Sequence, residues 1–171
     1  MIEKNKPVQK QIFSTLETLR IRYSYFESPA DFVDEDDANF WMKTGAIRCK
    51  NLFLRNHKGD RHFLVIAPFY EPVSIYNLEQ HFKKGKISFA SDQRLQRVLK
   101  VVPGAVSVFG LLNDPAHKTE VFLDDRLQQE ALLSFLPNYK GAIITLAYTD
   151  VIRFLEHTGH RHTVFNLKPC S

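Results

Sequence analysis

The sequence predicts an α/β (α+β) protein in which helices pack on a mixed β-sheet. Short apolar runs bounded by turn residues indicate the strands, and apolar residues at helical spacing indicate the helices. Fourteen Phe and six Tyr among 171 residues provide enough volume for a core without metal or disulfide cross-links. No repeat or Pro/Gly/Ser-rich linker divides the chain, so we expect a single domain over residues 1–171, with residues 1–21 as an N-terminal helical extension.

The helices are predicted from apolar spacing and from capping residues. Ile12, Leu16 and Leu19 lie at helical spacing in the first helix. The acidic run 34–37 suits the first turn of a second helix that ends near Lys43, because carboxylates stabilise the positive end of the helix dipole. The remaining helices are expected to begin at capping residues Ser74, Ser91 and Thr149, and the last to end at Gly159.

The strands are predicted from runs of apolar residues between turns. The second and third runs flank residues 56–60, whose Asn and Gly suit a tight turn, so these runs are expected to form a β-hairpin. Both are nearly continuous in apolar residues, as expected for strands covered on both faces. The predicted strands are 22–27, 50–55, 62–67, 87–90, 106–112, 119–123, 132–136, 142–147 and 162–167.

Composition restricts the location and the partners of the protein. The formal net charge of +4 permits a polyanionic partner without requiring one. The first ten residues contain no apolar stretch, and no run approaches the roughly 18 apolar residues of a membrane-spanning helix. Cys49 and Cys170 lie far apart and form no C-x-x-C pair, which disfavours a disulfide scaffold or a zinc ribbon. We therefore expect a cytoplasmic protein.

Four sequence blocks together resemble the YbaK/prolyl-tRNA-editing superfamily, in particular its free-standing prolyl-tRNA deacylase branch. The resemblance extends from about Tyr23 to Leu167, and the blocks occur in the family's order and at its spacing. The blocks are CKNLFL at 49–54, ISFAS at 87–91, GAVSVFGLLND at 104–114 and RFLEHTGH at 153–160.

The resemblance implies an activity, a fold and partners. Members of this family hydrolyse the ester that joins a small mischarged amino acid, typically alanine, to proline tRNA, and they need no metal or cofactor. Their fold is a mostly antiparallel sheet that forms a partial barrel. The implied partner is the acceptor end of an aminoacylated tRNA, with a prolyl-tRNA synthetase as a second candidate.

Lys50 matches the functional lysine of the family. An ammonium group beside a strand can hold a phosphate anion and can stabilise negative charge that develops on the attacked ester. The alternative is an exposed lysine at the start of a strand. Asn51 is a candidate for substrate binding or for orienting the loop, and we favour the second role because strand alternation points it away from Lys50.

The segment from Gly104 to Gly110 is the second candidate, because glycine lets backbone amides approach a carbonyl or oxyanion. By resemblance, this segment surrounds the aminoacyl ester, and Gly104 takes part in catalysis. The alternative is a turn imposed by Pro103 and Gly104. Ser107 has no Asp or His partner placed by the sequence, and the family does not use a serine acyl-enzyme. The expected lining residues of this segment are Ser107, Val108, Phe109 and Gly110.

Three positions depart from the family pattern. Val108 stands where the family has proline, Leu136 where many relatives have histidine, and Val33 where threonine is common. All three are expected at the substrate pocket, so the changes bear on which amino acid is removed. They are also compatible with an alternative function, in which the protein is a catalytically weakened homologue that binds tRNA or a tRNA synthetase without hydrolysis.

A basic region is the expected contact for the tRNA acceptor stem, because phosphate contacts provide affinity without reading sequence. A solvated helix face explains the same charges equally well, and a small-molecule-binding protein would not need them. The residues concerned are Lys83, Lys84, Lys86, Arg94, Arg97 and Lys100.

Two other hypotheses are weaker. His157, His160 and His162 lie close in sequence, but no carboxylate or thiol is spaced to complete a metal site, so none is expected. Cys49 adjoins Lys50, which suggests a cysteine nucleophile, but no paired base is identified and a buried cysteine is the commoner state.

Overall fold

Eight β-strands form one sheet in the computed structural model, which describes residues 7–28, 38–83 and 85–170. They are β1 Tyr23–Glu27, β2 Ile47–Asn56, β3 His62–Pro68, β4 Ile87–Phe89, β5 Thr119–Asp124, β6 Leu132–Phe135, β7 Ala142–Ala147 and β8 His162–Phe165. The strand order is β1-β7-β6-β2-β3-β5-β8, with β4 paired to β2 beside this path. Four pairs are antiparallel and three are parallel. The expected mixed, mostly antiparallel sheet is confirmed, and it does not close.

Strand β2 joins the two halves of the sheet. Ile47 and Arg48 pair with β6, residues 54–56 pair with β4, and β3 runs along the other edge of β2. The amide of Ala90 extends the β4 side by donating to the Phe53 carbonyl at 3.0 Å. Residues 49–52 therefore lie between the end of one partner strand and the start of the next.

The described residues form five α-helices beside the sheet: α1 Pro7–Thr18, α2 Ala38–Met42, α3 Ile75–Phe82, α4 Asp92–Val98 and α5 Tyr148–Thr158. The predicted caps of α3 and α4 are confirmed, because the side chains of Ser74 and Ser91 accept from backbone amides three residues later. The predicted cap Thr149 is wrong. Strand β7 leads directly into α5, so Ala147 precedes the helix and Thr149 already lies inside it. Gly159 ends α5 with a φ of 76°, as expected.

The predicted strand 106–112 is also wrong. Val108–Asn113 form a 3₁₀ helix, preceded by Ser107, whose hydroxyl accepts from the Phe109 amide at 3.2 Å. An uninterrupted apolar run does not distinguish a buried strand from a buried helical turn by periodicity. A second 3₁₀ helix at Asp125–Gln129 was not predicted, and Asp124 caps it.

Helix α1 is part of the main core rather than peripheral to it. Its residues Ile12 and Leu16 are 1% and 0% exposed and pack in one cluster with Phe154 of α5. A second cluster on the other side of the sheet includes Phe63, Leu78 and Phe122. The predicted acidic start of the second helix, 34–37, lies outside the described residues. Within the described part of the chain, no helix is both long and apolar enough to span a membrane.

Candidate active site

A cavity of about 310 Å³ opens beside residues 49–52 of β2, on the edge of the strand that does not pair with β3. This volume is at the small end of the usual range for ligand sites. Strand β2 supplies one wall, and α2 and three loops supply the others. The lining residues are Trp41, Arg48, Cys49, Lys50, Asn51, Leu52, Phe69, Gly104, Val106, Leu136 and Lys140.

The cavity is located where one edge of β2 has no partner strand among the described residues, while β3 pairs with the other edge. Pairing with β6 ends at Arg48, and contact with the β4 side resumes at Phe53. Residues 49–52 all line the cavity. The cavity therefore lies against the edge of the strand and not against only one of its faces. Lys50 and Asn51 consequently both reach it, although successive strand residues point to opposite faces.

Lys50 is held in place at the cavity wall. Its Nζ donates a hydrogen bond to the backbone carbonyl of Glu71, in the segment that follows β3. Burial, and then the positive charge of Arg126, lower the pKa of Lys50 below its ordinary value of 10.5, while Asp124 and Glu71 act in the opposite direction. The lysine is therefore a partly desolvated cation with a defined position, unlike an ordinary surface lysine.

A cation stacked between two aromatic rings forms a second wall. The Arg48 guanidinium carbon lies 4.4 Å from the ring centre of Trp41 and 3.5 Å from that of Phe69. Arg48 is only 8% exposed. Cation–π contacts of this kind gain strength when they are desolvated. Sequence reasoning missed all three residues, although the R-x-K spacing of Arg48 and Lys50 places both on the same strand face.

The Gly104 segment contributes to the lining of the same cavity as Lys50. Gly104 has a φ of 83°, a conformation that other residues adopt with strain. The amide of Ala105 closes a turn by donating to the Val102 carbonyl at 3.1 Å. Val106 adds an apolar side chain to the lining. The structure therefore brings Lys50, Asn51 and Gly104 together around one space.

Comparison with known proteins now identifies the family. A model of the aminoacyl-tRNA editing domain matches residues 35–154, which is more than half of the chain. The chain belongs to the aminoacyl-tRNA editing family. It is 31% identical over 159 residues to the prolyl-tRNA editing protein ProX of Acetoanaerobium sticklandii, covering 93% of this chain and 97% of that protein.

A further curated protein and a solved structure are also similar to the chain. The prolyl-tRNA synthetase associated domain-containing protein 1 of Bos taurus is 24% identical over 155 residues, covering 88% of this chain and 90% of the relative. A crystal structure described as a candidate trans-editing enzyme for prolyl tRNA synthetase superposes with a TM-score of 0.72 at 19% identity. The superposition covers 96% of this chain and 99% of that one. At that identity the structural likeness shows a shared fold.

The rest of the Gly104 segment lies behind the cavity of this editing domain. Ser107, Val108 and Phe109 are each 0% exposed, and none of them is among the lining residues. The Ser107 hydroxyl donates to Asn138 Oδ1 at 3.1 Å, which ties this segment to the loop after β6. Gly110 packs against Leu99, where a Cβ on the glycine would lie 3.4 Å from the Leu99 Cβ.

Leu136 and Val33 are the other two departures from the family pattern, and only Leu136 lies among the described residues. Leu136 lines the cavity and packs against the small cluster that contains Phe40, Trp41 and Ile143. An apolar side chain thus occupies the wall at this point. Val33 lies outside the described residues.

Arg94 of the basic region lies at the far end of β2. Lys50 is six residues from Asn56 at the hairpin end, which corresponds to roughly 20 Å along the strand. There Arg94 donates to the Gly59 carbonyl at 2.8 Å, which gives it a structural contact. Lys83, Arg97 and Lys100 are exposed, and Lys84 lies outside the described residues. None of these described basic residues is among the residues that line the cavity.

Cys49 and His160 are buried within the fold, whereas His157 is exposed and His162 is half-buried. Burial raises the pKa of the Cys49 thiol, which disfavours the nucleophilic thiolate. His160 Nε2 lies 3.1 Å from Asp114 Oδ2, and both side chains are buried. Burial opposes ionisation of Asp114, yet its hydrogen bonds with His160 and with the amides of Lys118 and Thr119 lower its pKa overall. This pair joins the turn before β5 to the end of α5.

Proposed function

We propose that this protein is a trans-acting deacylase that hydrolyses the ester of a small mischarged amino acid, most suitably alanine, on proline tRNA. The observation that supports this function is the position of Lys50 and Gly104 at one cavity of about 310 Å³ on the edge of β2. The family membership and the similarity to ProX support the same assignment.

Lys50 and the Gly104 segment supply the chemistry in this proposal. Water attacks the ester carbonyl, and negative charge develops on the carbonyl oxygen. The Lys50 ammonium and backbone amides near Gly104 stabilise that charge, and such preorganised donors are worth roughly 3–4 kcal/mol each. The described lining residues include no Asp, Glu or His. In this proposal the terminal ribose hydroxyl of the substrate orients the attacking water and relays its proton to the leaving ribose oxygen, so that free tRNA and free amino acid are the products.

The size of the cavity supports a small aminoacyl group. Leu52, Val106 and Leu136 provide apolar walls near the polar groups of Lys50 and Asn51. A methyl side chain fits such walls at little cost, whereas discrimination by one or two methylene groups is worth about 1–3 kcal/mol. We therefore expect alanine to be removed faster than proline.

The exposed cations at the hairpin end support a contact with the acceptor stem. Gly85, two residues after Lys83, lies beside His57 of the hairpin turn, and Arg97 is near enough to His62 to lower its pKa. That end of β2 is roughly 20 Å from Lys50. A duplex whose 3′ end enters the cavity extends over that distance. Phosphate contacts there contribute affinity but no chemistry.

The test of this function is the release of labelled amino acid from four charged tRNAs under single-turnover conditions. The substrates are Ala-tRNA of the proline type, Pro-tRNA, and Ser- and Cys-charged forms of the same tRNA. We expect release of alanine at a rate at least tenfold above that of proline, since about 1.4 kcal/mol separates such rates.

Other results would change the assignment. Faster release of serine or cysteine would retain the deacylase and correct the amino acid. No release from any substrate, with tRNA binding intact, would replace it with a non-catalytic binder, and Leu136→His would then be the first reversion to make.

A further inference from the structure

Arg126 lies at the centre of a hydrogen-bonded network beside the cavity. Its Nε donates to Asp124 Oδ1 at 2.8 Å and its Nη2 to Asp124 Oδ2 at 2.5 Å. The Asp124 side chain is 0% exposed and that of Arg126 is 19% exposed. A bidentate pair of this kind fixes the direction of the guanidinium.

The same guanidinium holds the segment that follows β3. Its Nη1 donates to Glu71 Oε2 at 3.3 Å and its Nη2 to the Pro72 carbonyl at 2.9 Å. The backbone carbonyl of Glu71 is the group that accepts the hydrogen bond from Lys50 Nζ. Arg126 therefore binds both the side chain of Glu71, whose carbonyl accepts from Lys50, and the carbonyl of Pro72.

We propose that Arg126, locked by Asp124, is a positioning residue that fixes residues 71–72 and thereby sets the place of Lys50 Nζ at the cavity. The consequence for turnover rests on the proposed deacylase function, whereas the consequence for Lys50 itself does not. Without the Arg126 contacts, which we call the clamp, residues 71–72 are held less firmly and the Lys50 side chain can adopt several rotamers. A displacement of about 1 Å can reduce a rate by ~10²-fold.

The charges around Lys50 agree with this arrangement. The charged groups that act on it are Arg126, Asp124 and Glu71. After burial, the Arg126 charge is the next cause that lowers the pKa of Lys50, and the two carboxylates raise it. Because the Asp124 carboxylate already neutralises Arg126, this arginine does not offer a free charge to an anionic ligand.

The experiment compares Arg126→Ala, Arg126→Lys and Arg153→Ala with the unmodified protein in two assays. Arg153 is a matched control, because it also pairs with a carboxylate, Asp150 at 2.9 Å, and donates to a backbone carbonyl, that of Leu19. One assay measures single-turnover release of alanine from Ala-tRNA at a series of protein concentrations, which gives the maximal rate and the half-saturating concentration. The other uses limiting acetic anhydride without RNA and measures acetylation of Lys50 against pH by mass spectrometry, with exposed Lys58 as internal reference.

We expect Arg126→Ala to reduce the maximal single-turnover rate about tenfold or more, with little change in half-saturating concentration. The pH midpoint of Lys50 acetylation moves upward, because a neighbouring positive charge that lowers its pKa is gone. Arg126→Lys keeps the charge and restores part of the rate, while Arg153→Ala matches the unmodified protein in both assays. Glu71→Gln should move the pH midpoint of Lys50 acetylation downward, because the Glu71 charge raises the pKa of Lys50. Its side chain is exposed, so this variant can be used if Arg126→Ala does not fold.

Two outcomes overturn the proposal. One is an unchanged rate and an unchanged Lys50 midpoint in folded Arg126→Ala. The other is a raised half-saturating concentration with altered salt dependence and an unchanged maximal rate, which would assign Arg126 to direct contact with RNA phosphate. If the unmodified protein releases no amino acid, the acetylation assay still decides whether the clamp sets the state of Lys50.

Discussion

The two ends of β2 carry basic residues in contrasting environments. At the cavity end, Lys50 donates to the Glu71 carbonyl and Arg48 is stacked between two aromatic rings. At the hairpin end, Lys58 and the nearby Arg97 are exposed. A fixed, partly desolvated cation can act on a reacting group, whereas a mobile, hydrated one contributes mainly long-range attraction. The contrast predicts effects on rate at one end and effects on affinity at the other.

The largest expected effect is that of removing the fixed cation. Lys50→Ala should reduce the single-turnover rate of deacylation by about 10²–10³-fold, because it removes a donor aimed at the developing negative charge. Thermal unfolding should show a folded protein, since no carboxylate is left unpaired by this change. Rapid-quench measurement of alanine release gives the rate.

Lys58→Ala is the matched control for this prediction, because it removes an exposed lysine from the turn at the other end of the strand. Its rate should stay within about twofold of the unmodified protein. Equal losses in the two variants would show that the ends of β2 do not differ in the way proposed.

Local signals predicted the caps of α3 and α4 and the Gly104 turn, and they failed for the cap at Thr149 and for the buried segment 108–113. Ser74 and Ser91 cap as expected because each accepts from an amide three residues away. The 3₁₀ helix at Val108–Asn113 was predicted as a strand, because burial on all sides removes the periodicity that separates the two.

The cavity shows the same division. Lys50, Asn51, Gly104 and Leu136 were predicted from motifs and all line it, whereas Val108 and Phe109 belong to the same motif and lie in the core. The network of Arg126 with Glu71 joins residues 55 positions apart, and no local pattern indicates it. Strand pairing that stops at Arg48 likewise depends on the register of β6, which the sequence of β2 does not encode.

A smaller effect is expected from the backbone turn that lines the same cavity as Lys50. Gly104 has a φ of 83° and Gly85 a φ of 94°, so an alanine at either position is strained by roughly 1–2 kcal/mol. Gly104→Ala should in addition reduce the deacylation rate about tenfold, because relief of the strain moves amides away from the ester. Gly85→Ala lies near the hairpin end and should lose comparable stability with an unchanged rate.

Chemical denaturation and single-turnover kinetics on both glycine variants separate the two contributions. A rate loss in Gly85→Ala as large as that in Gly104→Ala would mean that general destabilisation, and not the position of the amides, controls turnover. A Gly104→Ala variant with normal turnover would remove the segment from the mechanism and leave Lys50 as the catalytic group of the cavity.

The smallest effect is expected from the exposed cations at the hairpin end. Replacing both Lys83 and Arg97 by alanine should weaken tRNA binding about three- to tenfold at moderate salt, because a phosphate that the protein no longer neutralises keeps its condensed counterion. The slope of log affinity against log salt should fall by roughly 1 for each residue that touches phosphate, so by about 2 for the pair. The maximal rate at saturating tRNA should not change, since neither side chain lines the cavity.

A double variant with normal affinity and salt slope would identify these charges as a solvated surface, and the acceptor stem would then have to cross another face of the sheet. A reduced maximal rate would instead mean that stem contacts at this end help to seat the ester near Lys50, so that the two ends of β2 act together.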